Sequence, residues 1–266
     1  MNNLQINQCL IVVPCFNEEH RFDLLSWEQT IRAIPEISWW FIDDGSNDNT
    51  FNLLGKLTDH SNVHLLKIEN NLGKANAIRV GMIAGLKYVK ENSMGIDSIG
   101  YIDSDGAFSI ADIKNIVMKT HRYFNIGYSV VLSSRIALAG HQIIRKKSRH
   151  YLGRLIRTFI AWRWDGAPYD TQCGFKMFSC DNFLQDAIAS KFESRWFIDI
   201  ELIMRLTKGR NSILRMREIP LENWVDKDGS KITVRTYPAL IKEIFHIKFL
   251  VNRTMRYLRR YSDINH

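Results

Sequence analysis

The sequence predicts an α/β fold with a mostly parallel central sheet and helices on both faces. Five short apolar runs alternate with stretches of helical periodicity, which is the pattern of a sheet wound with helices. Polar clusters fall at the carboxyl ends of these runs, the edge where open α/β sheets bind ligands. No G-x-G-x-x-G follows the first run and no G-x-x-x-x-G-K-[ST] occurs, which argues against an ordinary dinucleotide fold and a P-loop NTPase.

The first half of the chain supplies the alternation. Residues 9–13 form a continuous apolar run halted by Pro14, as expected of a buried parallel strand. Ser109 followed three residues later by Asp112 forms a capping box, which predicts the start of a helix. The other strands are expected at residues 39–42, 63–68, 99–102 and 130–132, and helices at residues 27–34, 48–57, 75–89 and 109–119.

The second half has a different character, because basic and polar stretches separate its predicted elements. Residues 135–153 are loop-like and basic, and residues 151–164 have the pattern of an amphipathic helix. Helices are also expected at residues 180–188 and 195–208, and a late strand at residues 213–219. No linker or internal repeat interrupts the chain, so we predict one domain over residues 1–236 followed by a C-terminal helix over residues 237–266.

Composition and charge narrow the possible partners. The 266 residues are 45% hydrophobic and 24% charged, which is ordinary for a globular protein. The net charge of +8 suggests an anionic partner such as a nucleotide or a phospholipid. No nucleic-acid-binding module is recognised, so we expect no nucleic acid partner. Four cysteines without C-x-x-C spacing indicate free thiols in a reducing compartment.

The C-terminal pattern predicts a basic amphipathic helix. Apolar residues recur at helical spacing among several lysines and arginines over residues 237–261. Such a helix can lie among lipid headgroups, which would place the protein peripherally at the cytoplasmic face of a membrane. The alternative is a helix that packs on the core and exposes a basic face. The predicted apolar stripe comprises Ile241, Ile244, Phe245, Val251, Met255 and Leu258.

An acidic pair at the end of the fourth run is the centre of the predicted site. Asp103 and Asp105 are one residue apart, so in an extended chain both carboxylates face the same side. Two hard oxygen donors suit a divalent cation and the phosphates that it carries. The alternative is an Asp-rich β-turn. Residues that follow neighbouring runs could join the same pocket and form a nucleotide-phosphate site, namely Pro14, Phe16, Glu18, Asp44 and Lys74.

Several ordered motifs resemble the family-2 glycosyltransferases of the GT-A fold. They are VVPCFNE at residues 12–18, DDGS at 43–46, NLGK at 71–74 and DSDG at 103–106. The segment DTQCGFK at residues 170–176 is similar to dolichyl-phosphate glucosyltransferases and polyprenyl-phosphate mannosyltransferases, as is the stretch at residues 196–201 followed by 218–220. The resemblance covers roughly residues 9–235.

The resemblance implies a role for each matching residue. Pro14, Phe16, Glu18 and Asp44 would hold the nucleotide base and ribose, with Asp44 accepting from a uracil-type N–H. Lys74 would lie near the base or phosphates, and Asp103 with Asp105 would bind the nucleotide-diphosphate sugar through Mg²⁺ or Mn²⁺. Arg135 and Arg149 lie where relatives bind the acceptor phosphate. Glucose from a uridine donor is the expected transfer, ahead of mannose from a guanosine donor.

The acceptor determines what else an inverting transfer requires. A polyprenyl phosphate oxygen is already anionic, so Arg135 and Arg149 would orient it and neutralise its charge. A hydroxyl of a glycan or lipid-linked oligosaccharide would need a general base, and Asp199 or Asp170 is the candidate. A non-catalytic nucleotide-binding regulatory protein is the third alternative, which the intact acidic pair and Lys74 disfavour.

Overall fold

The protein is described from a computed structural model, for residues 8–144, 158, 162, 164, 167–212, 214–225 and 237–264. Its centre is a seven-stranded sheet in the order β3-β2-β1-β4-β7-β5-β8, beside a two-stranded sheet of β6 and β9. The strands are β1 Gln8–Cys15, β2 Ile37–Asp43, β3 Val63–Lys67, β4 Ile96–Ile102, β5 Val130–Ser134, β6 Gln142–Ile144, β7 Phe175–Ser179, β8 Met216–Pro220 and β9 Asn223–Val225.

Helices cover both faces of the large sheet. They are α1 Leu24–Ala33, α2 Thr50–Gly55, α3 Lys74–Glu91, α4 Ile110–Asn125, α5 Asn182–Ala189, α6 Ile198–Arg210 and α7 Tyr237–Ile264. Side chains of α1, α2 and α4 form one apolar core with alternate strand residues, and those of α3, α5, α6 and α7 form the other. The predicted α/β fold with a mostly parallel sheet is confirmed.

One strand runs against the rest. β7 pairs antiparallel with β4 on one side and with β5 on the other, whereas the remaining pairs of the large sheet are parallel. Strand β7 is not predicted from the sequence, because its buried run contains Lys176 and follows a polar segment. Reversal brings the amino end of β7 to the carboxyl edge of the sheet, next to the end of β4.

Local chemistry explains several element boundaries. Ser109 accepts a bond from the N–H of Asp112 at 3.0 Å and its hydroxyl donates to the Asp112 carboxylate at 2.7 Å, so the predicted helix start at Ser109 is confirmed. Gly45 has a φ of +70°, and a Cβ there would lie 2.8 Å from the backbone nitrogen of Asn71. Glycine therefore allows the loop after β2 to approach the loop after β3.

The C-terminal helix α7 packs against α6 as part of the core. The predicted stripe divides between two surfaces: Val251, Met255 and Leu258 are buried, whereas Ile241 and Phe245 are exposed. A domain boundary at residue 236 stays a prediction. Most of the predicted helix at residues 151–164 lies outside the described residues.

Candidate active site

The carboxyl edge of the sheet gathers most of the predicted site residues. β1 and β2 end side by side, and the N–H of Asp44 donates to the carbonyl of Cys15 at 2.8 Å. The loop after β1 is held by α2, because the N–H of Glu18 donates to Thr50 Oγ1 at 2.7 Å. Pro14, Phe16, Glu18 and Asp44 thus lie at adjoining strand ends.

Asp44 is a buried carboxylate that orders the loop between β3 and α3. The N–H groups of Leu72 and Gly73 each donate to it at 2.8 Å, and the side-chain amide of Asn71 donates at 3.1 Å. Burial raises the pKa of Asp44 above its ordinary value. Its contact with a uracil N–H stays a prediction.

Glu18 is the second buried carboxylate at this end of the site. A guanidinium nitrogen of Arg21 lies 2.7 Å from each of its two oxygens. This ion pair is local, since only three residues separate the partners. The ion pair holds the loop after β1 in place next to Asn17, which has a φ of +49°.

The acidic pair lies after β4, beside the first residue of α3. Lys74 Nζ is 2.5 Å from Asp103 Oδ1, and the N–H of Ala107 donates to Asp105 Oδ1 at 3.1 Å. Burial and the neighbouring Asp103 raise the pKa of Asp105. Burial opposes protonation of Lys74, but the carboxylates of Asp103 and Asp199 outweigh it and raise the pKa of Lys74. The site therefore brings two carboxylates and one lysine together.

Gly174 packs directly against the Asp103 carboxylate. The N–H of Asp103 donates to the Gly174 carbonyl at 3.0 Å, which extends the pairing of β4 with β7. A Cβ on Gly174 would lie 2.1 Å from Asp103 Oδ2. Any side chain at this position would displace the carboxylate, so Gly174 determines where Asp103 lies.

A buried ion pair lies behind the acidic pair. Lys176 Nζ is 2.8 Å from Asp199 Oδ1 and also donates to the carbonyl of Cys173. The amide of Gln172 lies 3.4 Å from the other Asp199 oxygen. Burial lowers the pKa of Lys176 to about 8 and raises that of Asp199 to about 7. Two donors of segment 170–176, the side chains of Gln172 and Lys176, thus face Asp199.

The ring of Tyr101 connects the two lysines of the site. Lys74 Nζ lies 5.9 Å from the ring centroid and Lys176 Nζ lies 5.7 Å from it. Both distances allow cation–π attraction, which is stronger in a desolvated site. Tyr101 is fully buried, so it is a rigid support for both cations.

Arg135 and Asp170 form a bidentate pair at the other side of the edge. Two side-chain bonds of 2.7 and 2.8 Å join them, and the Arg135 N–H adds a bond of 3.1 Å. The Arg135 guanidinium also lies 5.3 Å from the ring of Trp224. Glu218 accepts from the N–H of Asp170 at 2.9 Å. The roles of Arg135 and Asp170 stay predictions, and Arg149 lies outside the described residues.

The loop before α6 is anchored by two carboxylates. Glu201 accepts from the N–H groups of residues 193 and 194 at 3.2 and 2.8 Å. Glu243 of α7 accepts from the N–H groups of Arg195 and Trp196 at 3.0 Å. The Arg195 side chain then reaches Asn71, 3.3 Å away, and packs over Gly73.

Sequence reasoning missed four of these residues. Gly174 and Lys176 lie in the motif at residues 170–176, which by itself indicates no role for either residue. A lysine inside a buried run does, however, indicate a buried partner. Arg195 and Glu243 join elements that are far apart in the chain, so no local pattern indicates them.

Fold and site together define a GT-A glycosyltransferase, an enzyme that uses a nucleotide sugar. The chain belongs to glycosyl transferase family 2, whose model matches residues 10–183. The match includes β1 to β4, the acidic pair and the whole of β7.

Curated relatives extend the similarity to most of the chain. Dolichyl-phosphate beta-glucosyltransferase of Dictyostelium discoideum is 28% identical over 90% of this chain and 73% of its own length. The Saccharomyces cerevisiae protein of that name is 26% identical over 93% and 74%, and the Homo sapiens protein is 27% identical over 85% and 69%.

A solved structure shares the fold. Glucosyl-3-phosphoglycerate synthase from Mycobacterium tuberculosis, in complex with Mn²⁺, UDP-glucose and phosphoglyceric acid, superposes with a TM-score of 0.63 at 16% identity. The match covers 93% of this chain and 80% of that chain.

Proposed function

We propose that this enzyme transfers glucose from UDP-glucose to a polyprenyl phosphate such as dolichyl phosphate, with inversion at the anomeric carbon and with a divalent cation. The names of the curated relatives support the sugar and the acceptor. The uridine nucleotide and Mn²⁺ in the complexes of the solved neighbour support the donor and the cation. The pairing of Lys74 with the Asp103 and Asp105 cluster carries the proposal.

The acidic pair suits a cation that arrives with the donor. No cluster of three or more His, Cys, Asp or Glu side chains able to hold a metal ion is present in the described part of the chain. Two carboxylates would share the cation with the donor diphosphate, and the cation would offset the burial and the neighbouring Asp103 carboxylate that raise the pKa of Asp105. Asp103 and Asp105 would hold Mg²⁺ or Mn²⁺.

Stabilising the leaving group is the main chemical task. Departure of the nucleoside diphosphate concentrates negative charge on its phosphates, and a bound divalent cation would offset that charge. Lys74 lies against Asp103 and adds a second positive charge at the same place. Pro14, Phe16, Glu18 and Asp44 would hold the base and ribose so that the diphosphate reaches this cluster.

A phosphate acceptor would need no general base to remove a proton before it attacks. Its oxygen is anionic and attacks the anomeric carbon without losing a proton first. Asp199 is engaged by Lys176 in the structure, which suits a positioning role. Arg135 and Arg149 would orient the acceptor phosphate, with Arg135 exchanging its bonds to Asp170 for bonds to phosphate.

A hydroxyl acceptor is the second candidate, and one observation favours it. Burial raises the pKa of Asp199 to about 7, the range in which a carboxylate serves best as a general base near neutral pH. In that case a glycan or lipid-linked oligosaccharide hydroxyl would give its proton to Asp199, with Asp170 as the alternative base.

We place the reaction at the cytoplasmic face of a membrane. All four cysteines are free, which suits a reducing compartment. Within the described residues, no helix combines the length and hydropathy that a bilayer span requires.

A donor panel tests the proposal. The purified chain is assayed with UDP-glucose and GDP-mannose, with and without Mn²⁺ or Mg²⁺, and with either a short prenyl phosphate or a glycan acceptor. We expect metal-dependent glucose transfer to the phosphate. Asp105→Asn should lower kcat/KM by roughly a hundredfold or more, the scale of the loss of a main electrostatic contact. Asp186→Asn, which changes an exposed side chain of α5, should leave kcat/KM unchanged. Transfer that is indifferent to both metal and Asp105 would refute the proposal.

A further inference from the structure

Helix α7 has an inward face that belongs to the core. These side chains contact the apolar cluster shared by α3, α5 and α6, so truncating the helix would open that core. The inward face comprises Leu240, Ile247, Val251, Met255 and Leu258.

The opposite face of α7 is exposed and is divided along its length. Ile241, Phe245 and Phe249 are exposed by 53%, 60% and 62% and follow one another at intervals of four residues, so they form one apolar ridge. Further along the helix the exposed residues include three cations, Arg253, Arg256 and Arg260. We call these six residues the outward face.

The charge on this helix is mainly positive. Residues 237–264 contain six lysines and arginines and two acidic residues, Glu243 and Asp263. Glu243 is occupied by the loop before α6, since it accepts bonds from Arg195 and Trp196. The outward face therefore offers an apolar ridge and adjacent positive charge. That combination complements an anionic lipid bilayer, which accepts the ridge below its headgroups and the cations among them.

We propose that the outward face of α7 binds an anionic lipid bilayer. The proposal deepens the proposed function, because it identifies the surface that brings the enzyme to a lipid-linked acceptor. A convex ridge on one helix suits a deformable bilayer better than a protein groove, and α7 is held rigidly by its buried inward face.

The position of α7 relative to the site supports this partner. Glu243 lies between Ile241 and Phe245 along the helix and holds the loop that leads into α6 and Asp199. An α-helix with side chains is about 10–12 Å across, so this loop lies roughly one helix diameter from the ridge. Bilayer binding would thus bring the α6 end of the site close to the headgroups.

Vesicle flotation with the full chain tests the inference. The vesicles contain phosphatidylcholine alone or phosphatidylcholine with phosphatidylglycerol, and no prenyl phosphate. We expect the wild type to float with the anionic vesicles and to be released by high salt. Phe245→Ser with Phe249→Ser should weaken binding at least tenfold, and Arg253→Gln with Arg256→Gln and Arg260→Gln on the order of a hundredfold.

Matched variants control for exposure and net charge. Leu25→Ser with Met118→Ser removes apolar side chains that are 70% and 67% exposed elsewhere, and should leave flotation unchanged. Lys87→Gln with Lys90→Gln and Lys114→Gln removes three exposed cations from α3 and α4, and should weaken binding far less than the arginine variant does. Circular dichroism melting checks that each variant is folded.

Two results would overturn the inference: a wild-type chain that binds neither vesicle, or outward-face variants that float like the wild type. An outward face that binds a protein while the wild-type chain binds neither vesicle would likewise overturn the inference. Failure of the proposed function is distinguishable, because vesicle binding would persist while transfer to a short prenyl phosphate is absent. Outward-face variants should retain transfer to that water-soluble acceptor.

Discussion

Nζ of Lys176 lies 2.8 Å from Oδ1 of Asp199, and both side chains are buried. Lys176 lies in β7 and Asp199 in the first turn of α6. Their ion pair therefore joins the sheet to the helix next to Asp103 and Asp105. Neither ion has bulk water to solvate it, and each depends on the other.

Lys176→Met should therefore destabilise the fold strongly. Removing one partner of a buried ion pair costs about 3–5 kcal/mol, because the remaining charge is left without compensation. Urea unfolding at a pH between the pKa of Asp199, about 7, and that of Lys176, about 8, measures the loss, because both side chains are then ionised. The double variant Lys176→Met with Asp199→Leu should recover much of it. A Lys176→Met variant that loses less than about 1 kcal/mol, the scale of an exposed ion pair, would show that the buried pair contributes little to the stability of the fold.

The stability contributed by Asp199 should depend on pH. Burial raises the pKa of Asp199 from 3.8 to about 7. Between these values the folded chain keeps a proton that the unfolded chain releases, so the contribution of Asp199 to the free energy of unfolding falls as pH rises. The free energy of unfolding of Asp199→Asn relative to the wild type should therefore increase from about pH 4 to 7. Urea unfolding across this range checks it, with Asp186→Asn as the control whose difference should stay flat.

Gly174→Ala should impair donor binding through Asp103. The new Cβ would meet Asp103 Oδ2 at 2.1 Å, so the carboxylate must move. We expect Mn²⁺-dependent binding of UDP, measured by calorimetry, to weaken at least tenfold, the scale of a lost charge-assisted contact. Gly55→Ala is the matched control, since nothing lies within 4 Å of its Cβ position. Equal UDP affinity in both variants would contradict the role assigned to Gly174.

Glu243→Ala should affect both stability and turnover. It removes the acceptor of the N–H groups of Arg195 and Trp196, and because Arg195 is exposed and Trp196 half-buried, we expect a loss of about 0.5–1.5 kcal/mol per bond. The loop leads into α6, so kcat should fall at temperatures where the variant is still folded. Glu243→Gln retains an acceptor oxygen and should rescue part of both losses. Thermal melting and initial rates give the comparison, with exposed Glu91→Ala as control; a pure loss of stability would limit Glu243 to a structural role.

The first half of the fold was predictable because its signals are local. Buried strands such as β1 and β2 are continuous apolar runs, and the Ser109 capping box marks a helix start within four residues. The acidic pair was also predictable, since its two carboxylates need only the spacing of an extended chain. Lys74 joined it because parallel strands place their carboxyl ends at one edge.

The remaining parts of the site depend on contacts between distant residues. β7 contains a buried lysine that periodicity places in neither a strand nor a helix, and Asp199 explains it only in three dimensions. Glu243 and Arg195 are separated by 48 residues. The apolar residues of α7 share helical spacing, so the sequence alone did not separate the buried Val251 from the exposed Phe249.

The reversed direction of β7 has a consequence for how new specificities arise. The chain leaves β5 at Ser134 and returns at Phe175, beside the strand that presents Asp103. Both ends of this interval are fixed by the sheet, and its last residue, Gly174, lies against Asp103. Substitutions in the interval that adapt the enzyme to another acceptor would therefore have to keep this glycine.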